Sequence, residues 1–462
     1  MNHTLFDHYR FPAGTLGCIA TDDLTGNPGF FRFGPKTVCY GRCSSGVARG
    51  VEESGSFDVS KLVRFDGSTV HLPFDIEEVI ENLRRETYEA CMAPTIEKFS
   101  SHEWVRKTYY SVRELLPVSV RRHLQKVYFR DWKSRIFPSW PVDFTVDTLH
   151  EEILRLSMEA SGIKKIPFIW FWPEGASNCL IMTHDVETRT GRDFTSQLMD
   201  IDESYGIKAS FQVIPEKRYE VTDEFVHEIR SRGFEFNIHD LNHDGHLYRK
   251  REEFLRRAQK INEYALRYNA RGFRAGAMYR VLDWYDAYDF SYDMSVPNVA
   301  RLEPKRGGCC TVFPFFIGKI LELPLTTAQD YSIFHILDDY SIELWKTQLG
   351  LIRERNGLMS FITHPDYLIE HRARKVYESL LDYLRQLIAR ENIWTALPGE
   401  VDRWWRARNQ LKLVQKNNHW EIEGPGSERA RVAYASTEEG RLTFALGTEV
   451  AQEIRSTRPP AL

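Results

Sequence analysis

The sequence has little of what marks secreted, membrane-spanning or nucleic-acid-binding proteins. Its seven cysteines are an odd number without zinc-knuckle spacing, and the adjacent Cys309 and Cys310 are more typical of reduced thiols than of a disulfide framework. No stretch approaches the roughly 18 apolar residues of a spanning helix, and the amino terminus shows no basic segment followed by an apolar one. The net charge of -4 gives no reason to expect nucleic acid or an anionic membrane as partner. We therefore expect a cytoplasmic protein without a transmembrane segment, whose oligomeric state the sequence leaves open.

Three regions of the 462-residue chain differ in their patterns. Residues 1–165 pass from short Gly-rich runs to helical periodicity, which predicts an α+β region with a helix at 111–132. Strand and helix patterns alternate over residues 166–405, whereas residues 411–462 contain the short alternating runs of a small β-rich extension. The sequence therefore predicts a central domain with a region of unknown role on either side.

The central region contains eight apolar runs that predict strands. They lie at 179–183, 209–214, 234–239, 272–275, 290–296, 319–325, 358–364 and 393–397. Amphipathic segments separate most of them, so about 230 residues read as alternating strands and helices. This alternation favours the α/β class with a parallel sheet, most simply an irregular (β/α) barrel of seven or eight strands.

Ionisable residues follow at least six of the predicted strands. They are Asp185, Glu187, His239, His243, Arg274, Asp293, Asp330 and His364. Because the carboxyl ends of parallel strands meet at one edge of a sheet, these side chains are expected to lie close together. Scattered surface charges would not produce this pattern, so the set predicts an active site.

The first of these strands ends in the stretch "CLIMTHDVET", which brings three ionisable groups to a buried strand. Alternate side chains of an extended segment share a face, so Asp185 and Glu187 point one way and His184 and Val186 the other. Two carboxylates on one face allow one to bind a metal ion and the other to act as a general base.

The spacing His239-x-x-x-His243 brings two imidazoles one helical turn apart, or together on a tight loop, so that both can reach one ion. Alone this is a weak motif, and two polar loop residues are the alternative. His246 is a further candidate ligand, although a solvated loop histidine is the better interpretation. With one carboxylate the pair would make a three-ligand site for a divalent ion, most simply Zn2+, which lowers the pKa of a bound water to about 7.

His364 ends a predicted core strand in "SFITHPDYL". A histidine on the opposite wall of such a site can protonate a leaving group. The alternative is a buried histidine bonded to the backbone.

The order of these segments resembles the polysaccharide deacetylases with a NodB homology domain, over about residues 166–400. The matching segments are "THDVE" at 183–187, "HDLNH" at 239–243, "RAGAMY" at 274–279, "SYDMS" at 291–295 and "ITH" at 362–364. The resemblance implies a NodB-type barrel and a metal-dependent hydrolase. Its substrate would be an acetylated sugar or glycan.

The resemblance also implies roles for single residues. Asp185 falls on the catalytic base, and Arg274 on the residue that holds that base. His364 falls on the general acid, and Asp293 would orient or tune it. His239 and His243 fall on metal ligands.

The sequence departs from the family pattern at position 186. The family has a metal-binding aspartate there, the second of its first motif, whereas this sequence has Val186. The ligand is predicted to move one residue on, to Glu187, which shares a face with Asp185. His184 replaces the usual Phe and is expected to pack behind the strand. Gly276 replaces the usual Pro of the third motif.

The reaction implied is hydrolysis of an N-acetyl, or less favoured O-acetyl, group. In a cytoplasmic protein the substrate would be a glycan precursor. The candidate substrate contacts are Tyr279, Trp284 and Asp330. For the aromatic segment that contains Tyr279 and Trp284, the alternative is a helix packed against the barrel. For Asp330, the alternative is a charge at a helix N-terminus. Other interpretations are an inactive glycan-binding relative, a cyclic-amide hydrolase, or a glycosidase with Asp185 and Asp330 as its carboxylates.

Overall fold

A computed structural model describes most of the chain. The described residues are 3–12, 14–21, 23–92, 129, 132–417 and 419–447. The helix predicted at 111–132 lies almost entirely outside them. No helix in these ranges has the length and apolar character that a membrane crossing requires.

The amino-terminal region combines short strands with helices, as its pattern predicts. Its strands are β1 (Gly17–Ala20), β2 (Gly29–Arg32), β3 (Val38–Gly41), β4 (Arg64–Asp66) and β5 (Thr69–Leu72). Its helices are α1 (His3–Tyr9), α2 (Ile76–Arg84), α3 (Glu89–Met92) and α4 (Thr145–Ala160). The strands form two small sheets, in the orders β1-β5-β4 and β2-β3.

The central region contains all eight predicted strands. With their neighbours they are β6 (Lys165–Ile169), β7 (Asn178–Val186), β8 (Ala209–Val213), β9 (Glu235–His239), β10 (Gly272–Arg274), β11 (Tyr292–Asp293), β12 (Phe315–Ile317), β13 (Ile320–Glu322), β14 (Leu358–Thr363) and β15 (Ile393–Thr395). The helices between and after them are α5 (Arg189–Ser204), α6 (Asp223–Ser231), α7 (Arg251–Arg267), α8 (Glu343–Arg353), α9 (His371–Arg390) and α10 (Pro398–Arg408).

The central sheet is a curled, open half-barrel. Its strand order is β12-β13-β11-β10-β9-β8-β7-β14, with β15 also paired to β7, and all these pairings are parallel except that of β12 with β13. The expectation of a barrel is therefore met only in part, because in the described residues no strand ladder joins β13 to β14. The hydroxyls of Thr326 and Thr327 instead donate to the carbonyls of Leu358 and Ser360, so side-chain bonds replace the ladder there.

The helices around the sheet are amphipathic, and α9 shows why the sequence forms them. Its buried residues recur every three or four positions, as Ala373, Val376, Tyr377, Leu380, Leu381, Leu384 and Leu387. The Glu370 carboxylate caps the helix by accepting the backbone N–H groups of Arg372 and Ala373. Burial of each leucine contributes about 1.5–3 kcal/mol, so packing fixes the helix against the sheet.

The carboxyl-terminal segment pairs with the start of the central region. Its strands are β16 (Lys412–Lys416), β17 (His419–Glu423), β18 (Val432–Glu438) and β19 (Arg441–Leu446). β18 pairs antiparallel with β6, in a three-stranded sheet of order β19-β18-β6. One hydrophobic core, with members from Leu5 to Ala435, crosses the predicted boundaries at residues 165 and 411.

Candidate active site

Four strands deliver the predicted polar residues to one place at the carboxyl edge of the sheet. The Glu187 carboxylate lies just beyond β7 and faces three imidazoles. Its Oε1 atom is 2.8 Å from Nε2 of His243, 3.5 Å from Nε2 of His239 and 3.7 Å from Nε2 of His364. Asp185 lies beside it, with Oδ2 3.7 Å from Nε2 of His239. The two carboxylates thus share a face, as the strand alternation predicts.

Glu187, His239 and His243 can hold a metal ion together. One potential ligand atom from each lies within 4.8 Å of the others. The Nδ1 atom of His239 is 3.1 Å from the carbonyl oxygen of Arg274, and because a carbonyl only accepts, Nδ1 carries a proton and Nε2 is the nitrogen that a metal ion could bind. Within the described part of the chain, neither buried Nε2 atom makes a hydrogen bond of normal geometry. Two buried imidazole nitrogens that face a carboxylate without a hydrogen bond of normal geometry suit a cation, so the residues fit a divalent metal ion.

A tight loop, and not a helical turn, brings the two imidazoles together. Asp240 and His243 both have positive φ angles, of 56° and 54°. The Asp240 carboxylate accepts the N–H of Leu241, and Arg218 donates to the carbonyls of Asn242 and His243. These bonds compensate for the unusual backbone, which places both rings on the same side of the loop.

Gly276 gives the second imidazole its space. A Cβ atom at this position would lie 2.5 Å from Oδ2 of Asp240 and 2.9 Å from Cδ2 of His243. Glycine, which stands here in place of the motif's usual proline, therefore lets the backbone at 276 lie close to the side chains of Asp240 and His243.

The Asp185 carboxylate is held by a buried arginine. Nη1 of Arg274 is 2.6 Å from Oδ1 of Asp185 and 2.8 Å from Oγ1 of Thr183. Burial on its own would raise the pKa of Asp185, but Arg274, with His239 and His364, outweighs it and holds this pKa below the usual range. Asp185 is therefore ionised at neutral pH.

His364 is oriented by Asp330, not by the predicted Asp293. Its Nδ1–H donates to Oδ1 of Asp330 and its backbone N–H to Oδ2, both at 2.7 Å. Burial would lower the pKa of His364, but Asp330, and after it Glu187, raise this pKa well above its usual value. The sequence predicts Asp330 as a substrate contact, but the loop after β13, whose bend the sequence does not reveal, carries it to His364 at the end of β14.

Asp293 lies in a different network. It accepts hydrogen bonds from the Tyr285 hydroxyl and from both the N–H and the hydroxyl of Ser295. Burial raises its pKa, and the nearby Glu322 carboxyl is raised well above its usual pKa by burial and by Asp293. Because Ser295 also accepts the N–H of Ala275, this network supports the loop that follows β10.

The two predicted aromatic contacts lie in the segment after β10. The Trp284 ring packs on helix α7, with its centroid 5.1 Å from that of Phe254 and the guanidinium of Arg251 5.4 Å away. This placement matches the alternative interpretation of packing against the barrel. Tyr279 is half-buried, and its N–H donates to the carbonyl of Gly276. Tyr367, for which the sequence predicts no role, contacts His364, with 4.7 Å between the ring centroids.

His184 lies behind β7, as expected, but it is not merely packed there. Its Nε2–H donates to Oδ2 of Asp202 at 2.8 Å, and its Nδ1 is 2.7 Å from the Thr363 hydroxyl. The Tyr377 hydroxyl donates to the other oxygen of Asp202. This buried network joins β7, β14, α5 and α9 directly beneath the site. Its signals in the sequence are polar residues in apolar patterns: His184 in the buried strand β7, and Asp202 in line with Phe194 and Leu198 on the buried face of α5.

No family model matches the chain, and no curated protein matches its sequence. Solved structures do resemble it over about half of its length. A protein from Mycobacterium smegmatis named as a polysaccharide deacetylase is 16% identical, with 52% of this chain and 93% of that one covered and a TM-score of 0.41. An allantoinase is 10% identical, with 51% of this chain and 92% of the allantoinase covered and a TM-score of 0.40. An acetyl xylan esterase of family 4 from Clostridium thermocellum, solved with a cobalt ion, is 13% identical, with 49% and 91% covered and a TM-score of 0.34.

Proposed function

We propose that the protein is a metal-dependent carbohydrate deacetylase, which hydrolyses an acetyl group, most simply N-acetyl, on a sugar or glycan precursor. The observation that carries the proposal is the position of Glu187 among three imidazoles, with a second carboxylate, Asp185, beside it. This arrangement offers a cation site, an ionised base and a protonated acid at one place.

Glu187, His239 and His243 would hold the metal ion. One carboxylate and two histidines are a usual ligand set of hydrolytic Zn2+ sites, which makes Zn2+ the expected ion. When bound, such an ion lowers the pKa of water and polarises a carbonyl group. Val186, which stands where the family has its aspartate ligand, is buried in β7, so Glu187 supplies the carboxylate instead.

Asp185 serves as the general base. Arg274 fixes its orientation and keeps it ionised, so it can accept a proton from the attacking water. Removal of that proton makes the water oxygen nucleophilic, and this oxygen forms the new bond to the carbonyl carbon of the acetyl group.

His364 serves as the general acid, with its Nε2 atom 3.7 Å from Oε1 of Glu187. Its raised pKa keeps the imidazole protonated at neutral pH, and Asp330 fixes Nδ1 so that Nε2–H faces the site. The proton passes from Nε2 to the departing nitrogen as the bond between carbon and nitrogen breaks, which yields acetate and a free amine.

The geometry disfavours a glycosidase. Both oxygens of Asp330 are engaged, Oδ2 by the N–H of His364 and Oδ1 by its imidazole and by the N–H of Tyr331. A glycosidase needs two carboxyl groups that face the substrate, and Asp330 faces His364. A cyclic amide could be hydrolysed by the same residues, so the choice of substrate must be tested directly.

The test combines metal content with product analysis. Purified protein, loaded with Zn2+ or Co2+, is offered N-acetylated and O-acetylated sugars, a cyclic ureide and a polysaccharide. We expect acetate to be released from an N-acetylated sugar. Ring opening of the ureide without acetate release would assign a cyclic-amide hydrolase, and new reducing ends would assign a glycosidase.

Two variants separate the roles of the carboxylates. Glu187→Ala should lose the metal ion, whereas Asp185→Asn should keep it and lose turnover, by roughly 10²–10⁴-fold for a general base. His246→Ala serves as the control, because this residue lies outside the cluster of three candidate ligands. If the wild-type protein held less than about one-tenth of an equivalent of metal after loading, and showed no activity, a glycan-binding role would replace the enzyme.

A further inference from the structure

The loop after β10 is held at both ends by buried arginines. Arg274, at its start, pairs with Asp185. Arg280, at its end, is fully buried and pairs with both oxygens of Glu86, a residue of the amino-terminal region 194 positions earlier in the chain. The first arginine holds the proposed base, but the second has no role in the chemistry described above.

Between the two arginines the backbone is strained and close to a candidate ligand. Ala277 and Met278 have positive φ angles of 52° and 53°, which residues with a Cβ rarely adopt. Nη1 of Arg280 donates to the carbonyl of Met278 at 2.7 Å, so the arginine holds the strained segment directly. At the other end of this segment, Gly276 packs so closely against the His243 ring that a Cβ at position 276 would not fit.

Glu86 is itself part of a well-formed buried site. Its φ angle is 59°, and its side chain is fully enclosed. Lys305 lies 3.7 Å from its Oε2 and donates to the carbonyl of Arg280 at 2.8 Å. A Cβ at Gly307 would lie 2.7 Å from its Oε1. Two segments at the edge of the sheet therefore contact the Glu86 carboxylate, which comes from outside the half-barrel. One follows β10 and contains Arg280, and the other follows β11 and contains Lys305 and Gly307.

We propose that Glu86 is a positioning residue of the active site: through Arg280 it fixes the loop at 276–280, which in turn fixes the imidazole of His243 for metal binding. The amino-terminal region thereby becomes a component of the site. This inference rests on the proposed function, because it concerns the same metal ligands.

Cobalt binding to the full-length, metal-free protein tests the inference. Co2+ is titrated while its visible absorption, which reports the ligand geometry, is recorded. Glu86→Gln should weaken Co2+ binding by about 10- to 100-fold, the usual effect of removing a residue that supports a ligand. Glu86→Asp, which keeps the charge, should recover part of this loss.

A double variant separates positioning from stability. Glu86→Met with Arg280→Met removes both charges of the fully buried pair, and apolar replacement of such a pair is often neutral for folding. The partly exposed Lys305 keeps the backbone carbonyl of position 280 as its hydrogen-bond acceptor. It should unfold near the wild-type temperature and still bind Co2+ more weakly, with an altered spectrum. Glu151→Gln is the matched control, because Glu151 joins α4 of the amino-terminal region to Arg355 before β14; its Co2+ affinity should equal that of the wild type.

Two outcomes are distinguishable. If the wild-type protein binds Co2+ and the Glu86 variants bind it equally well, the inference is wrong and the proposed function stands. If the wild-type protein binds no Co2+, the proposed function fails and the inference falls with it.

Discussion

His364 and Asp330 are joined at two points, because one carboxylate accepts both the Nδ1–H and the backbone N–H of the same histidine at 2.7 Å. The ring can therefore neither flip nor tilt without the loss of a buried hydrogen bond. Its Nε2 atom is left directed at Glu187, 3.7 Å away. Asp330 thus sets the orientation of the proposed acid and is the main cause of its raised pKa, ahead of Glu187.

Asp330→Asn should shift the alkaline limb of the activity profile to lower pH. An acid catalyst is lost as pH rises through its pKa, and removal of the Asp330 charge lowers the raised pKa of His364. We expect kcat/KM to fall by about tenfold or more on the alkaline side, part of the roughly 10²–10⁴-fold contributed by a positioned acid. A pH profile of kcat/KM measures this. An unchanged alkaline limb would assign the proton donor elsewhere.

Gly276→Ala should impair metal binding more than folding. The new methyl group would meet Oδ2 of Asp240 at 2.5 Å and the His243 ring at 2.9 Å, so the imidazole must move. We expect metal affinity to fall by about tenfold or more, as measured by competition with a chelator. The substitution Gly350→Ala, at a glycine of α8 with open space around it, is the control and should leave affinity unchanged.

Asp202→Ala should destabilise the protein without removing the metal ion. It leaves His184 and Tyr377 as buried donors without their acceptor, which we expect to lower the free energy of unfolding by about 3–5 kcal/mol. Urea unfolding measures this loss. Asp200→Ala, on the exposed face of the same helix, should change stability by less than about 1 kcal/mol. Equal effects of the two substitutions would show that the buried network contributes little.

Asp147→Asn should flatten the pH dependence of stability. Burial raises the pKa of Asp147 to about 7, against an ordinary value of 3.8. The native state therefore binds this proton more tightly than the unfolded state, and stability is lost as pH rises from about 4 to about 7. The variant has no such group, so its stability relative to wild type should grow across this window by up to about 1.4 kcal/mol per pH unit.

Urea unfolding of the metal-free protein at a series of pH values tests this fourth prediction. Asp193→Asn, at an exposed position on α5, is the control and should follow the wild-type curve. Parallel curves for wild type and Asp147→Asn would mean that Asp147 ionises in the native state as readily as in the unfolded one.

Much of the site was predictable because it depends on local rules. Apolar runs locate the strands, and alternation along β7 assigns Asp185 and Glu187 to one face. The convergence of strand ends then brings the histidines to the same place. None of these steps requires knowledge of how distant segments pack.

The features that the sequence did not reveal depend on such packing. The partner of His364 is set by the path of the loop after β13, which carries Asp330 to β14. At the open side of the sheet, the hydroxyls of Thr326 and Thr327 bond to the backbone of β14, a contact between segments that are more than 30 positions apart. The Glu86–Arg280 pair spans 194 positions, and no periodic pattern connects its two members.

The pairing of β6 with β18 bears on how the chain acquires its structure. These strands meet across more than 260 positions, with Val432 opposite Ile169 and Ser436 opposite Lys165. A nascent chain that ends after α10 holds β6 with both edges open, and open edges invite intermolecular pairing. The last-made part of the described chain therefore covers one edge of β6, and that edge is protected from intermolecular pairing only after β18 has been synthesised.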